Sequence, residues 1–186
     1  MYIYLVRHTR PLVGPEVCYG RLDVDLPTTW RADADECFRS IASVSRIYSS
    51  PATRCRALAE ALGEREFTQI HIDARLAELD FAEWEGRRWD AIPRSCLDAW
   101  AADLIHYAPG NGESLEALWT RVDAFRNEAI YGDADLVVVS HHGPLRALAS
   151  QLAGEAPDKM FTRQWSWGRV HRIELSGARR NGKAHQ

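Results

Sequence analysis

Apolar positions fall along the chain in two kinds of run. Tyr2-Ile-Tyr-Leu-Val6 and Leu136-Val-Val-Val139 are continuous and β-favouring, the pattern of strands covered on both faces. Ile47-Tyr48-Ser49 and Ile70-His71-Ile72 read as shorter strands, and Val170 to Leu175 alternates, which predicts a final one. Between them lie stretches with helical spacing. Residues 30 to 43 read as helix, and Ala52 to Leu62 as a stronger one expected to stop at Gly63. Pro93 to about Ile105 is a further candidate. The clearest amphipathic helix opens at Asn111 or Glu113 and places Leu115, Leu118, Val122, Phe125 and Ala129 on one face. Leu145 to Ala153 predicts the last helix. Strands alternating with helices imply an α/β fold with a mostly parallel sheet. There is no repeat, low-complexity tract or linker, so residues 1–176 read as one domain and 177–186 as a frayed polar tail. The irregular stretch of about 73–110, rich in acid and Trp, is a candidate lid insertion over the sheet edge.

Composition narrows the classes. The 186 residues are 46% apolar and 26% charged, which excludes disorder as the main state. A count of 23 basic against 26 acidic residues argues against a nucleic-acid binder. No run approaches the ~18 apolar residues of a membrane helix, and the apolar start ends at Arg7-His8, too soon for a signal-peptide core. The widely spaced Cys18, Cys37, Cys55 and Cys96 contain no Cys-x-x-Cys pair; they read as reduced thiols in a cytoplasmic protein with no metal site. A chain of this length buries enough surface, roughly 70%, to fold without a staple. The oligomeric state is open, a homodimer included.

The chemistry gathers at strand ends. In an open parallel sheet, ligands bind beyond the carboxyl ends of the strands. The first strand ends in Arg7-His8. The second ends in Ser49-Ser50-Pro51, with Arg54 just inside the following helix. The fourth ends in Ser140-His141-His142-Gly143. On one rim, these form a pocket for a dianion, since Arg makes forked contacts with phosphate oxygens and helix starts after Pro51 and Gly143 offer N–H groups. Each piece also has an ordinary reading. Arg-His after a strand is commonly a surface turn. Ser-Ser-Pro suits a junction with Ser as N-cap and Pro at the first helical position. His141-His142 is a solvated turn or half a metal site. Glu78 is one of several acids in a loop.

Five motifs together resemble the histidine phosphatase superfamily, of phosphoglycerate-mutase-like fold. They are Leu5-Val-Arg7-His8-Thr9, Tyr48-Ser-Ser-Pro-Ala-Thr-Arg54, Leu76-Ala-Glu78 through Gly86, Gly112-Glu-Ser-Leu115 and Val139-Ser-His141-His-Gly-Pro-Leu-Arg146. The resemblance implies a three-layer sandwich with helices on both faces of a mostly parallel sheet. It implies His8 as nucleophile, Glu78 as proton donor, and Arg7, Arg54 and His141 as the phosphate pocket, with His142 beside it. Arg7-His-Thr-Arg-Pro11, the loop Val17 to Leu26 and Trp167 to Leu175 are similar to α-ribazole phosphatases of cobalamin synthesis. Tyr19, Gly20 and Arg21 are accordingly candidates for a substrate loop. Thr9, Gly14, Ala82 and His142 depart from the family pattern; Ala82 and His142 stand where Gly is usual.

The implied reaction is hydrolysis of a phosphomonoester, α-ribazole 5′-phosphate or a related cobalamin-pathway compound, through phosphohistidine. Arg7 and Arg54 are expected to lower the His8 pKa and keep its imidazole neutral. His141, protonated beside the dianion, adds to the clamp. Glu78, with a free pKa of about 4.3, needs the dianion to hold its proton. No cofactor or metal is called for. Asp80, just after Glu78, is expected to repel a second anionic group, which favours phosphatase over mutase. A broad-specificity phosphatase, a phosphoglycerate-mutase-type enzyme, a protein phosphohistidine phosphatase and a non-catalytic phosphate binder are the alternatives.

Overall fold

The computed structural model describes residues 1–175. In chain order the elements are β1 (Tyr2–Arg7), α1 (Trp30–Phe38), β2 (Arg46–Ser49), α2 (Thr53–Glu66), β3 (Ile70–Ile72), α3 (Arg94–Ala102), α4 (Leu115–Ala129), β4 (Leu136–Ser140), α5 (His142–Leu152) and β5 (Val170–Glu174), joined by loops and short 3₁₀ turns. The five strands form one sheet in the order β3-β2-β4-β1-β5. All neighbours are parallel except the β1–β5 pair. The expected tail, 177–186, lies outside the described residues.

The continuous apolar runs occupy the two central strands. Alternate residues of β1 and β4 face opposite layers, as the two-residue period of a strand requires. Ile3, Leu5, Leu136 and Val138 pack with α4 and α5; Tyr4, Val6, Val137 and Val139 pack with α1 and α2. Helices therefore cover both faces. On α4, Leu118, Val122 and Phe125 are fully buried, each contributing about 1.5–3 kcal/mol of transfer free energy.

Strand order positions the site. β4 lies between β1 and β2, with Arg7 level with Ser140 and Val139 level with Ser49. The helix after β2 packs on one face and the helix after β4 on the other. The carboxyl edge thus opens into a crevice at a topological switch point, where such sheets bind ligands.

Several boundaries differ from expectation. Gly63 does not stop α2. The helix runs to Glu66 and ends at Phe67 in the left-handed region, φ 51°. A Cβ on Gly63 would lie 2.9 Å from the Thr68 carbonyl and 3.0 Å from Ile70 Cγ2, so this glycine permits close packing against β3. Residues 39–43 and 103–105 are not helical, leaving α1 and α3 shorter than expected. Ser114, whose Oγ accepts from the Ala117 N–H at 3.2 Å, caps α4, so that helix opens after Asn111 and Glu113. α5 begins at His142; Pro144 fits its first turn because N–H groups there have no helical partner.

The stretch after β3 builds a small core of its own. Cys18, Trp84 and Ile92 are buried there, with Phe81, Trp89, Leu97, Trp100 and Tyr107 around them. The loop before Gly20 is tied to this stretch: Cys18 N–H donates to Arg87 O and Gly86 N–H to Cys18 O, both at 2.8 Å. The cysteines are free thiols.

Candidate active site

His8 follows β1 directly and is buried. Its Nδ1 lies 2.7 Å from its neighbour Thr9's carbonyl oxygen. A carbonyl only accepts, so Nδ1 carries the proton and Nε2 keeps its lone pair. Burial, with Arg54 and Arg7 nearby, holds the ring well below the ordinary histidine pKa, against the opposing Thr9 bond. Arg7 donates from Nη1 to Trp165 O at 2.5 Å, and its guanidinium lies over the Trp167 ring, 4.9 Å from its centre.

His141 directly follows β4, with its ring centre 5.2 Å from that of His8. Arg54 Nη2 lies 3.2 Å from Nδ1 of His141, and Ser50 Oγ lies 2.7 Å from Nε2. Arg only donates, so Nδ1 accepts and Nε2–H donates to Ser50. Burial and Arg54 hold this ring, too, well below its usual pKa. The positive charge expected on His141 is therefore not present of itself; only a dianion alongside would favour it.

Arg54 is 0% exposed. Its Nη2 donates to Gly20 O at 2.6 Å and its Nη1 to Leu22 O at 2.9 Å. With the His141 bond, that uses three of the five guanidinium N–H groups; its Nε is buried without a protein partner.

Glu78 is seated by backbone. Its carboxylate accepts from Leu79 N–H at 3.0 Å and from Gly143 N–H at 3.1 and 3.3 Å. A Cβ on Gly143 would lie 2.4 Å from Glu78 Oε1, so glycine alone leaves room for this seat. Arg121 donates to Glu78 O at 3.1 Å, and Ser140 Oγ donates to Leu76 O at 2.7 Å, fixing the segment on the end of β4.

Two cavities meet at Glu78. One, of about 250 Å³, is bounded by Arg21, Asp23, Ser50, Glu78 and His141. The other, of about 320 Å³, has Arg7, His8, Tyr19, Trp89, His142 and Trp167 among its walls, with Glu78. Glu78 lines both cavities, Arg7, His8 and His142 line one and His141 the other, while the buried Arg54 lines neither and joins the group through its bond to His141. Burial, then Arg146 and Arg7, pushes the His142 pKa down to about 3, so its ring is neutral. Tyr19 lies under Arg54, its ring centre 5.5 Å from the guanidinium carbon.

Some expectations fail in instructive ways. Ser50 does not cap α2 and Pro51 is not its first residue. The N-cap is Ala52, and Asp23 accepts from the Thr53 N–H at 3.0 Å. The helix-start N–H groups expected to meet an anion are thus taken by carboxylates, Asp23 at α2 and Glu78 at α5, the groups such positions attract. Asp80 does not face the cavities: it accepts from Ala82 N–H at 2.8 Å and pairs with Arg21 at 3.3 Å. The Arg21 cation beside it offsets part of the repulsion expected for an anionic leaving group. Trp84 belongs to the small core and Trp100 packs against it, whereas Trp89 stacks on Trp100 and reaches the cavity. The contacts of Glu85 with residues 20–22 and of Trp167 with Arg7 join distant parts of the chain and carry no local sequence signal.

The chain belongs to the histidine phosphatase superfamily (branch 1), whose model matches residues 3–185. Membership supports a hydrolase acting on phosphoric esters. The chain is 26% identical to a provisionally named phosphoserine phosphatase 2 of Hydrogenobacter thermophilus, over 94% of this chain and 90% of that one. It is 26% identical to the adenosylcobalamin/α-ribazole phosphatase of Escherichia coli, over 87% of this chain and 83% of that one. The fold matches the crystal structure of the α-ribazole phosphatase from Shigella flexneri with a TM-score of 0.85 at 24% identity, covering 95% and 91% of the two chains. Among the described residues, no helix is long and apolar enough to cross a membrane.

Proposed function

We propose that this protein hydrolyses a small phosphomonoester through a phosphohistidine at His8. The observation that carries the reading is the Thr9 carbonyl on Nδ1 of His8, which leaves the Nε2 lone pair available in the cavity that Arg7 and Glu78 also line. Nε2 attacks phosphorus as the P–O ester bond breaks in line, and Glu78 gives its proton to the departing oxygen. Glu78 then takes a proton from water. The water oxygen bonds phosphorus, the N–P bond breaks, and inorganic phosphate leaves with His8 restored. Arg7, Arg54 and His141 balance charge on the transferring group, a role often contributing ~3 kcal/mol per donor.

For the leaving group we propose an aromatic riboside of the α-ribazole kind. Trp89, Tyr19 and Trp167 give the cavity beside His8 aromatic surface, and the neutral His142 ring and the Trp167 indole each hold a buried nitrogen without a protein partner. Stacking on an aromatic base and a hydrogen bond to a ribose hydroxyl would use both features. A second reading, a carboxylate-bearing ester such as phosphoserine, gains from the Asp80–Arg21 pair and from Arg146 near Glu78 and Arg7. A steady-state panel of α-ribazole 5′-phosphate, phosphoserine, 3-phosphoglycerate, sugar phosphates and p-nitrophenyl phosphate tests both. The highest kcat/KM is expected for α-ribazole 5′-phosphate; a preference for phosphoserine would move the assignment to the second reading. Phosphate release without an acid-labile phosphoenzyme would overturn the mechanism.

A further inference from the structure

Among the described residues, the buried Arg54 guanidinium has no carboxylate in hydrogen-bond contact. Its nearest acid, Asp23, is 3.9 Å away, half exposed, and already bonded to the Thr53 N–H. What Arg54 does contact is backbone, the carbonyls of Gly20 and Leu22. The N–H groups of that same loop converge on one side chain. Glu85 accepts from Gly20 N–H at 2.8 Å, Arg21 N–H at 2.8 Å and Leu22 N–H at 3.1 Å, and from Phe81 N–H at 3.1 Å.

One peptide unit links the two charges. The group between Gly20 and Arg21 turns its carbonyl to Arg54 and its N–H to Glu85. A peptide carries a dipole of about 3.5 D, and here its negative end meets the cation and its positive end the anion. Gly20 leaves no slack: a Cβ there would lie 1.9 Å from the Leu79 carbonyl. The loop is thus held against the residue that follows Glu78, and the fourth bond, from Phe81, holds the same segment from its other end.

We propose that Glu85 is a positioning residue that aims Arg54 at the transferring phosphoryl group, acting as its counter-charge through the backbone of residues 20–22. This rests on the phosphatase reading but concerns a residue that touches neither substrate nor nucleophile. Glu85 gives the buried cation a compensating charge without adding a further carboxylate beside the phosphate, where it would repel the dianion. A directly paired Arg54 would have its N–H groups taken by that acid.

Orthovanadate binding measured by calorimetry on the full chain tests this without turnover. Glu85→Gln keeps the shape but loses the charge and sets an NH₂ against the loop N–H groups. It is expected to weaken vanadate by about 10- to 100-fold, the range for losing much of one charged contact. It should lower kcat/KM by a similar factor for alkyl phosphates and for p-nitrophenyl phosphate, because the clamp is needed whatever the leaving group. Val122→Ala, a core truncation in α4, controls for stability loss and should leave vanadate affinity unchanged. If Glu85→Gln does not fold, Glu85→Asp, which keeps the charge but withdraws it by one methylene, should weaken vanadate by a smaller factor. Wild-type affinity in the folded variant, or an equal loss in Val122→Ala, would overturn the positioning role. A wild-type protein that binds no vanadate would overturn the phosphatase reading itself.

Discussion

His8 and His141 stand at the ends of adjacent strands, both buried, with ring centres 5.2 Å apart. Burial and the same arginine keep both neutral. They differ in what holds Nδ1. At His8 it is an acceptor, the Thr9 carbonyl, so the opposite nitrogen is left with its lone pair. At His141 it is a donor, Arg54, so the lone pair is spent and the opposite nitrogen carries the proton. Two equally buried imidazoles thus acquire opposite chemical faces from one bond each. A partner atom, more than burial, leaves one ring a free lone pair and the other a bound one.

The sharpest way to break this comparison is to remove each ring. His8→Ala should abolish phosphoenzyme formation. His141→Ala should slow it about 100- to 1,000-fold, as for loss of one preorganised donor, while still giving acid-labile phosphohistidine in single-turnover quench experiments. Phosphoenzyme in His8→Ala would show that the two roles are exchanged.

Next in size is the proton on the leaving oxygen. Glu78→Gln should slow phosphorylation of His8 by about 100- to 10,000-fold with an alkyl phosphate, and far less with p-nitrophenyl phosphate, whose leaving group needs no proton. Equal losses in rapid-mixing experiments would remove Glu78 from that role. Gly143→Ala should resemble Glu78→Gln, because the added methyl would occupy the carboxylate's seat.

A smaller effect tests the shared neutrality. Folded-state pKa values below that of the unfolded ring, about 6.5, mean that the unfolded chain binds more protons as pH falls. Stability is therefore fully present above pH 6.5 and is lost below it, by about 1.4 kcal/mol per pH unit for each of the two rings. His142, with its pKa of about 3, adds to the loss in the same direction. Phosphate should offset part of this, since an anion beside the rings favours their charged forms. Urea melts at pH 7, 6 and 5, with and without phosphate, measure it; a midpoint flat across that range would contradict the assigned neutrality.

The smallest effect sits in the segment that follows Glu78. Ala82 adopts φ 40°, a conformation that favours glycine. Ala82→Gly should raise stability by about 0.5–1 kcal/mol in thermal melts and leave the His8–His141 contrast untouched. A loss of stability would mean that the Ala82 methyl makes a compensating contact.

Much of the rim was legible because strand ends are local features. Arg7-His8, Ser49-Ser50 and Ser140-His141 each close an apolar run, and a parallel sheet in register brings such ends level. The side-chain partners were less so. Which acid turns inward among Asp80, Glu83 and Glu85 depends on loop N–H groups more than fifty positions away, at Gly20, Arg21 and Leu22. Asp23 capping α2 is another long-range contact with no periodic signal. Gly63 misled for a related reason: its lack of a side chain serves a neighbour, β3, whose closeness is a tertiary fact.

The placing of β4 between β1 and β2 has a consequence for how the molecule comes into being. β1 is hydrogen-bonded to β4 and β5, and β2 to β3 and β4; β1 and β2 do not touch as strands. β1, which leads into His8, is made before the other four strands, yet its inner neighbour β4 emerges only after residue 136. During synthesis, at about 5–20 residues per second, an apolar five-residue edge waits several seconds without a native partner. Closing so long a loop slows folding and exposes the chain to misassembly. The inserted strand that brings the two histidines together thus makes the strand leading into His8 dependent on residues 136–140.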